Sequence, residues 1–250
     1  MAAPASAPLR DVRFGPRDVS MTRGEGGILY VRPVHPLGSY PAKLTEKLDF
    51  WAAQAPDRVF LGQRDASGGW RTLTYAQFRA AARNVAQALL GRNLSAQRPI
   101  AILSGNDLEH AVLGFAAYYA GIPYAPISTA YSLVSSDFGK LKYIFELLTP
   151  GLIFVNEAAA FRGALAAVQP ADAELVISGD PQNLKSTPYA TLAATTATAD
   201  VDRAHQRVTP DTVAKILFTS GSTGTPKGVE NTQRMLTSNQ EIVRSVLRWV

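Results

Sequence analysis

Residues 100–127, IAILSGNDLEHAVLGFAAYYAGIPYAPI, have the pattern of a strand, a helix and a second strand. Residues 100–103 form a short apolar run of the kind found in buried strands. Asn106, with a glutamate three residues later, predicts the start of a helix, and Gly121 predicts its end. Residues 124–127 are the second strand, which we expect near an edge of the sheet because it contains a proline. A strand–helix–strand unit of this kind is typical of parallel sheets.

The same alternation continues on both sides of this unit. Towards the amino terminus we predict a helix over 44–55, a hairpin of 59–63 with 70–74, and a helix that runs from the capping box of Thr74 and Gln77 to Gly91. Towards the carboxyl terminus we predict a helix over 141–148, a strand over 152–155, a helix over 158–168, a strand over 175–178, a polar connector over 180–212, a strand over 213–218 and a final helix that carries Met235, Ile242, Val246 and Trp249. This order predicts an α/β fold of stacked βαβ units with a largely parallel sheet.

The domain organisation is predicted as two parts. Residues 1–40 form an amino-terminal extension, with a mobile tail over 1–10, a short strand over 28–32 and a loop over 35–41. Residues 41–250 form one large domain. The final helix is still periodic at Val250, so we expect the chain to stop in mid-helix and to be the amino-terminal part of a longer protein.

Composition excludes several classes of function. Hydrophobic residues make up 46% of the 250 residues, which is too many for a disordered chain. The net charge of +5 comes without a run of five basic residues, so nucleic acid and membrane surfaces are not favoured as partners. The absence of cysteine excludes disulfides, thiolate metal sites and cysteine nucleophiles. The sequence contains neither a secretory signal nor an apolar stretch long enough to span a membrane, and we expect the protein in the cytoplasm.

The stretch over residues 219–228, TSGSTGTPKG, has the composition of a phosphate-binding loop. It directly follows a predicted buried strand and precedes a predicted helix. Glycines let backbone N–H groups turn towards an anion, hydroxyl side chains add donors, and Lys227 adds a mobile positive charge. We therefore predict a cradle for a polyphosphate, most simply the β- and γ-phosphates of ATP.

Other interpretations of this loop are less favoured. A Walker A loop, counted from Gly221, needs glycine where Pro226 stands and serine or threonine where Gly228 stands. A Rossmann fingerprint would need G-x-G-x-x-G, which the chain lacks. A solvated Ser/Gly linker would need neither a place at the carboxyl end of a strand nor the Pro-Lys-Gly ending.

This stretch resembles the phosphate-loop signature of the adenylate-forming superfamily, which includes acyl-CoA synthetases, luciferases and the adenylation domains of peptide synthetases. Residues 73–78, LTYAQF, and 119–127, YAGIPYAPI, resemble two further motifs of that superfamily, and the resemblance covers roughly residues 40–250. Within it, the chain is most similar to bacterial feruloyl-CoA synthases. The stretches that carry this similarity are 12–16, 36–41, 130–140 and 227–235.

The resemblance implies an ATP-dependent acid–thiol ligase. A carboxylate attacks the α-phosphate of ATP to give an acyl-adenylate and pyrophosphate, and a thiol, usually that of CoA, then displaces AMP. Lys227 would contact the leaving pyrophosphate as the catalytic residue. The expected phosphate-binding residues are Thr219, Ser220, Gly221, Ser222, Thr223, Gly224, Lys227 and Gly228. Mg²⁺ is implied by the ATP chemistry, but no ligand for it can be named in this chain.

The resemblance also carries expectations about the substrate. Many relatives have Thr-His shortly after the Lys-Gly-Val of the loop, where this chain has Thr232 and Gln233. Gln233 is therefore expected to border the acyl site and to face a polar or aromatic acid, which would fit a role in phenylpropanoid degradation. Family members are much longer than this chain and place their adenine, ribose, Mg²⁺ and lid residues further on. We therefore expect the 250-residue chain alone to complete neither half-reaction.

Two alternative functions stay open. One is an adenylation enzyme for another acid, such as a fatty acid, or for another acceptor, such as a carrier-protein thiol. The other is a non-catalytic nucleotide-binding or interaction module. The sequence does not indicate an oligomeric state.

The remaining polar and aromatic candidates are interpreted as structural or, for the three histidines, as solvated or structural. His35, His110 and His205 lack the spacing of metal ligands. Asp107 and Glu109 lie in the first turn of a predicted helix, where the helix dipole favours acids. The tyrosines at 118, 119, 124 and 131 are interpreted as core residues rather than as an aromatic pocket.

Overall fold

The computed structural model describes residues 14–65, 67–220 and 224–247. The predicted mobile tail and Trp249 lie outside the described residues. The strands, in chain order, are β1 Val19–Arg23, β2 Leu29–Pro33, β3 Val59–Arg64, β4 Trp70–Thr74, β5 Ile100–Leu103, β6 Tyr124–Pro126, β7 Leu152–Val155, β8 Glu174–Ile177, β9 Thr187–Pro188, β10 Val213–Ser220 and β11 Pro226–Thr232. The helices are α1 Thr45–Gln54, α2 Tyr75–Leu90, α3 Leu108–Ala120, α4 Ala130–Leu133, α5 Gly139–Leu148, α6 Ala158–Val168, α7 Tyr189–Ala193, α8 Ala199–Arg207 and α9 Gln233–Val246.

The chain divides into two compact units. Unit 1 comprises Met1–Pro41 and Met235–Val250, and unit 2 comprises Ala42–Arg234. In unit 1, β1 and β2 form an antiparallel hairpin with Val19 opposite Pro33. The sequence predicted β2 one residue early, and β1 was not predicted. Each strand has only five residues, all of them exposed, so neither has the buried face that marks a strand of the core.

A largely parallel sheet forms the centre of unit 2. Within the described residues its strand order is β11-β10-β6-β5-β7-β8-β9, and each neighbouring pair is parallel except β10 with β11. Side chains alternate between the two faces, since the side-chain period of a strand is two residues. Ile100 and Ile102 of β5 pack with the layer that contains α2 and α3, whereas Ala101 and Leu103 pack with α5 and α6. The predicted α/β fold class is confirmed.

Local signals set the ends of several helices as the sequence predicted. Thr74 accepts a hydrogen bond from the Gln77 N–H while the Gln77 side chain accepts one from the Thr74 N–H, which completes the capping box of α2. Gly121 ends α3 in the left-handed conformation, with φ of 71°. The N-cap of α3 is Asp107, whose carboxylate accepts from the His110 N–H at 2.6 Å, and not Asn106 as predicted.

Three other predictions were wrong. β6 lies between β5 and β10, so it is not an edge strand. Its proline is tolerated because it is the last residue of a three-residue strand. The connector over 180–212 contains β9, α7 and α8, which are two, five and nine residues long. Each is shorter than the window of about 11–18 residues in which a helical period is recognised. The strand β11 was not predicted and is described with the site below.

No helix in the described ranges is long and apolar enough to cross a membrane.

Candidate functional site

The loop predicted to bind phosphate lies at the tip of a hairpin. Thr219 and Ser220 are the last residues of β10, and Pro226, Lys227 and Gly228 open β11. In the antiparallel register Thr219 lies opposite Lys227 and Ser220 opposite Pro226. The prediction that a helix directly follows the loop was wrong, because β11 pairs along β10 before α9 begins at Gln233.

The topology places this tip at the edge of the sheet where ligands bind in open α/β folds. β10 runs parallel to β6, with Lys215 opposite Tyr124, so both strands end at the same edge. Thr219 and Ser128 each lie four residues after this pair, so Ser128, which follows β6, is level with Thr219. The carboxyl end of the next strand, β5, is followed by Ser104, so polar side chains follow neighbouring strands at this edge.

The described part of the loop is open and carries a positive charge. Gly224 has φ of 81°, and a Cβ atom added there would meet no heavy atom within 4 Å among the described residues. A left-handed φ of this kind favours glycine. Lys227 is exposed, and no acidic side chain of the described ranges forms an ion pair with it. Gly221, Ser222 and Thr223 lie outside the described residues.

Gly228 has a different structural role from Gly224. It lies within β11 and its φ is not positive. A Cβ atom there would approach Ile216 Cγ2 and Phe218 Cε1, each at 3.3 Å. The glycine therefore lets the side chains of β10 pack over the backbone of β11.

Gln233, predicted to border the acyl site, is buried with 1% of its surface exposed. Its Oε1 accepts a hydrogen bond from the Leu44 N–H at 3.0 Å, and its own N–H donates to the Thr212 carbonyl at 3.1 Å. The adjacent Arg234 donates twice to the carboxylate of Asp211, at 3.0 Å each. The base of the hairpin is therefore fixed to the start of α1, and the role of Gln233 towards an acid stays a prediction.

A network of polar side chains that the sequence did not indicate lies beside this base. His205 Nε2 is 2.7 Å from the hydroxyl of Thr45, and its backbone carbonyl accepts from the Lys43 ammonium at 2.8 Å. The Tyr119 hydroxyl donates to Asp49 at 2.6 Å, and the Tyr119 and His205 rings are 5.0 Å apart. The half-buried His205 ring of α8 thus contacts side chains of α1 and α3.

Acidic residues at the start of α3 are also structural. Burial raises the pKa of Asp107, the N-cap of the helix, although the His110 N–H opposes the shift. Glu109 pairs with Arg71 at 2.7 Å. The Ser104 hydroxyl lies 3.1 Å from His110 Nδ1. Among the residues that the structure describes, no group of three His, Asp or Glu side chains is placed to hold a metal ion.

The tyrosines of α3 and β6 contribute to the core. Tyr118 and Tyr119 are buried, and the hydroxyls of Tyr118 and Tyr124 lie 3.2 Å apart. Burial raises the pKa of Tyr118, so its phenol stays neutral at any physiological pH. The interpretation of Tyr118 and Tyr119 as core residues is confirmed.

Comparison with known proteins assigns the family. The model of the family described as "AMP-binding enzyme" matches residues 48–249. The chain belongs to the AMP-binding enzyme family. The match spans the sheet of unit 2 and the hairpin with its phosphate-loop sequence. Enzymes of this family are adenylate-forming and use ATP and Mg²⁺.

Relatives within the AMP-binding family are of more than one kind. The phosphinothricin tripeptide synthetase PhsC of Streptomyces viridochromogenes is 29% identical over 181 residues, which cover 72% of this chain and 14% of the synthetase. The sulfoacetate–CoA ligase of Cupriavidus necator is 28% identical over 190 residues, 75% of this chain and 34% of the ligase. The chain thus spans far less than two thirds of these relatives.

A solved structure shares the fold. The fatty acyl-adenylate ligase from L. pneumophila, crystallised with acyl adenylate and pyrophosphate, superimposes with a TM-score of 0.59 at 17% identity, over 81% of this chain and 32% of that one. The similarity shows that the two chains have the same α/β fold.

Proposed function

We propose that the protein activates a carboxylic acid with ATP as an acyl-adenylate and transfers the acyl group to the thiol of CoA. The observation that carries the proposal is the hairpin, which holds Thr219 opposite Lys227 at the carboxyl edge of the sheet. The family match supports the first half-reaction. The similarity to a CoA ligase supports the second.

The residues present fit the phosphates of ATP. Lys227 is exposed and without an ion pair among the described side chains, and a Cβ atom at Gly224 would meet no described heavy atom within 4 Å. ATP supplies the α-phosphorus that the acid attacks and the pyrophosphate that leaves. Lys227 and the N–H and hydroxyl groups of the loop would stabilise the charge that collects on the leaving pyrophosphate. The residues proposed for this binding are Thr219, Ser220, Gly221, Ser222, Thr223, Gly224, Lys227 and Gly228.

We propose an aromatic acid of the hydroxycinnamate type as the substrate. The support is the similarity of four sequence stretches to feruloyl-CoA synthases and the glutamine at position 233. The glutamine would act from the edge of the acyl site, and its Leu44 hydrogen bond would fix its orientation. Residues 41–250 are proposed as part of the AMP-binding domain and 1–40 as an amino-terminal extension, which the family match over 48–249 supports.

Carboxylate-dependent exchange between pyrophosphate and ATP in the complete protein tests two parts of the proposal, the adenylation reaction and the identity of the acid. Ferulate, benzoate, acetate and a long-chain fatty acid are the separate substrates. Exchange that is fastest with ferulate is the expected result, followed by release of AMP when CoA is added. Exchange with another acid alone would overturn the substrate but keep adenylation, and no exchange with any acid would overturn both.

A second candidate is adenylation for a carrier-protein thiol. The similarity to the phosphinothricin tripeptide synthetase favours it. Formation of the acyl-adenylate without acyl transfer to CoA, but with transfer to a phosphopantetheinylated carrier protein, would decide for this candidate.

A further inference from the structure

A cleft in unit 1 has the size of a small-molecule site. Its volume is about 720 Å³, and it lies between the segments that flank the β1–β2 hairpin and the carboxyl-terminal turns of α9. Ligand pockets in proteins span roughly 300–1,000 Å³. None of its lining residues belongs to the β10–β11 hairpin, which is part of unit 2.

Much of the cleft wall is apolar. Pro33 and Pro36 line one side with Leu37, and Ile242 and Val246 line the other. The three aliphatic side chains are exposed although they are large and apolar. Proline fixes its own φ, so this wall loses little conformational entropy when a ligand binds.

Backbone contacts join the two sides. The Gly15 N–H donates to the Val246 carbonyl at 2.7 Å, and Phe14 forms a β-bridge with Leu247. At the other end Gly38 lies so close to α9 that a Cβ atom there would be 2.8 Å from Glu241 Oε1. Both the segment before β1 and the segment after β2 thus lie against α9.

One positive and one negative side chain line the same cleft. Arg244 donates from Nε and Nη2 to the two oxygens of Glu241, at 2.8 and 2.7 Å. Three of the five N–H donors of its guanidinium are not used in that pair, and its side chain is 66% exposed. Asp18 is 75% exposed and lies 3.3 Å from His35 Nε2. Glu241 does not line the cleft, and its side chain is only 10% exposed.

We propose that this cleft binds a small zwitterion with an apolar body, the class to which aromatic and branched α-amino acids belong. The ligand's carboxylate would accept from the free N–H groups of Arg244, and its ammonium group would donate to Asp18. Its body would cover Leu37, Ile242 and Val246. A singly charged ligand would satisfy only one of the two cleft side chains, and the hydrogen-bonding groups that the other does not use in its own pair would be desolvated without compensation.

Three nearly isosteric probes test the charge pattern. L-phenylalanine carries both charges, 3-phenylpropanoate lacks the ammonium group, and 2-phenylethylamine lacks the carboxylate. Binding to the 250-residue chain is measured by saturation-transfer NMR in the absence of ATP. We expect L-phenylalanine to bind about tenfold more tightly than either analogue, since each lost charged hydrogen bond has an effect of that order.

Two substitutions assign the charges to residues. Arg244→Gln should weaken the binding of L-phenylalanine and 3-phenylpropanoate, which carry a carboxylate, and leave the binding of 2-phenylethylamine unchanged. Asp18→Asn should weaken the binding of L-phenylalanine and 2-phenylethylamine, which carry an ammonium group, and leave the binding of 3-phenylpropanoate unchanged. The matched control is Arg203→Gln in α8, since Arg203 also pairs with an acid three residues away and is 62% exposed. Circular dichroism confirms that each variant is folded.

Equal affinity for the three probes, or phenylalanine binding that neither variant changes, would overturn the zwitterion site. Absence of phenylalanine binding would overturn it as well. None of these results bears on pyrophosphate exchange, which is measured separately, so failure of this proposal and failure of the proposed function are distinguishable.

Discussion

The hydroxyl of Thr45 lies 2.7 Å from Nε2 of His205, and this contact joins the start of α1 to the last turn of α8. Thr45 is only 1% exposed and His205 is half-buried, so a charge on the ring would be partly removed from water. Burial is the main cause that lowers the pKa of His205. The charges of Lys43 and Arg83 add to it, and those of Asp49 and Asp202 oppose it.

A lowered histidine pKa makes the stability of the fold depend on pH. The unfolded chain takes up a proton as the pH falls below the ordinary value of about 6.5, whereas the folded ring resists it. The stability is therefore complete above that value and is lost as the pH falls towards the lowered pKa. We expect the melting temperature to fall between pH 7.5 and 5.5, and to fall less in His205→Gln. His35→Asn, at an exposed histidine, is the control, and an equal fall in all three proteins would contradict the assignment.

Asp49 is the acceptor for two side chains at once. Its Oδ1 accepts from Tyr119 at 2.6 Å and from Arg79 at 2.5 Å. Asp49→Ala leaves the buried phenol of Tyr119 without this partner. We therefore expect the free energy of unfolding, measured in urea, to fall by about 2 kcal/mol. Asp211→Ala removes an ion-pair acid that is 74% exposed and should have a smaller effect.

A double-mutant cycle separates the interaction between Tyr119 and Asp49 from the other effects of the Asp49 substitution on stability. Tyr119→Phe should destabilise the wild type but have little further effect in the Asp49→Ala background. Additive losses would show that the two side chains act independently despite the short distance between them.

Alanine should be tolerated at Gly105 but not at Gly228. At Gly228 the new methyl group would displace the side chains of Ile216 and Phe218. We expect the free energy of unfolding to fall by about 1 kcal/mol, because this crowding outweighs the stabilisation that alanine brings by restricting the unfolded chain. A Cβ atom at Gly105 meets nothing within 4 Å in the described ranges, and the φ there is not positive, so Gly105→Ala should be neutral or stabilising. Chemical denaturation of both variants checks the sign. A stabilising Gly228→Ala would mean that the two side chains move aside without cost.

The helices and strands that the sequence predicted correctly have a strong signal within a few neighbouring residues. The strand Ile100–Leu103 is four apolar residues long, and α2 begins at a capping box and ends at a glycine. Both signals depend on neighbouring residues only, so a sequence pattern contains them. The parallel arrangement of the sheet followed from the order of strands and helices.

The parts that sequence missed depend on distant contacts. β11 contains Lys227, Glu230 and Asn231, and it is a strand because it pairs with β10 and not because of its composition. The pairing of Thr45 with His205 joins residues 160 positions apart, which no local pattern indicates. The glycines, hydroxyls and lysine of residues 219–228 predicted a phosphate loop, but its place at a hairpin tip required the structure.

Lys227 provides the most direct test of the phosphate site. Its exposed ammonium group forms no ion pair with the described acidic side chains, so Lys227→Ala should not reduce the melting temperature. If the side chain meets the leaving pyrophosphate, its loss should slow carboxylate-dependent pyrophosphate exchange in the complete protein by about 100-fold, the effect typical of one lost charge-stabilising donor. Lys185→Ala, at another exposed lysine, controls for the general loss of a positive charge. Unchanged exchange in Lys227→Ala would remove the lysine from the reaction, whereas an equal loss in both variants would indicate that net charge, and not the position of Lys227, attracts the nucleotide.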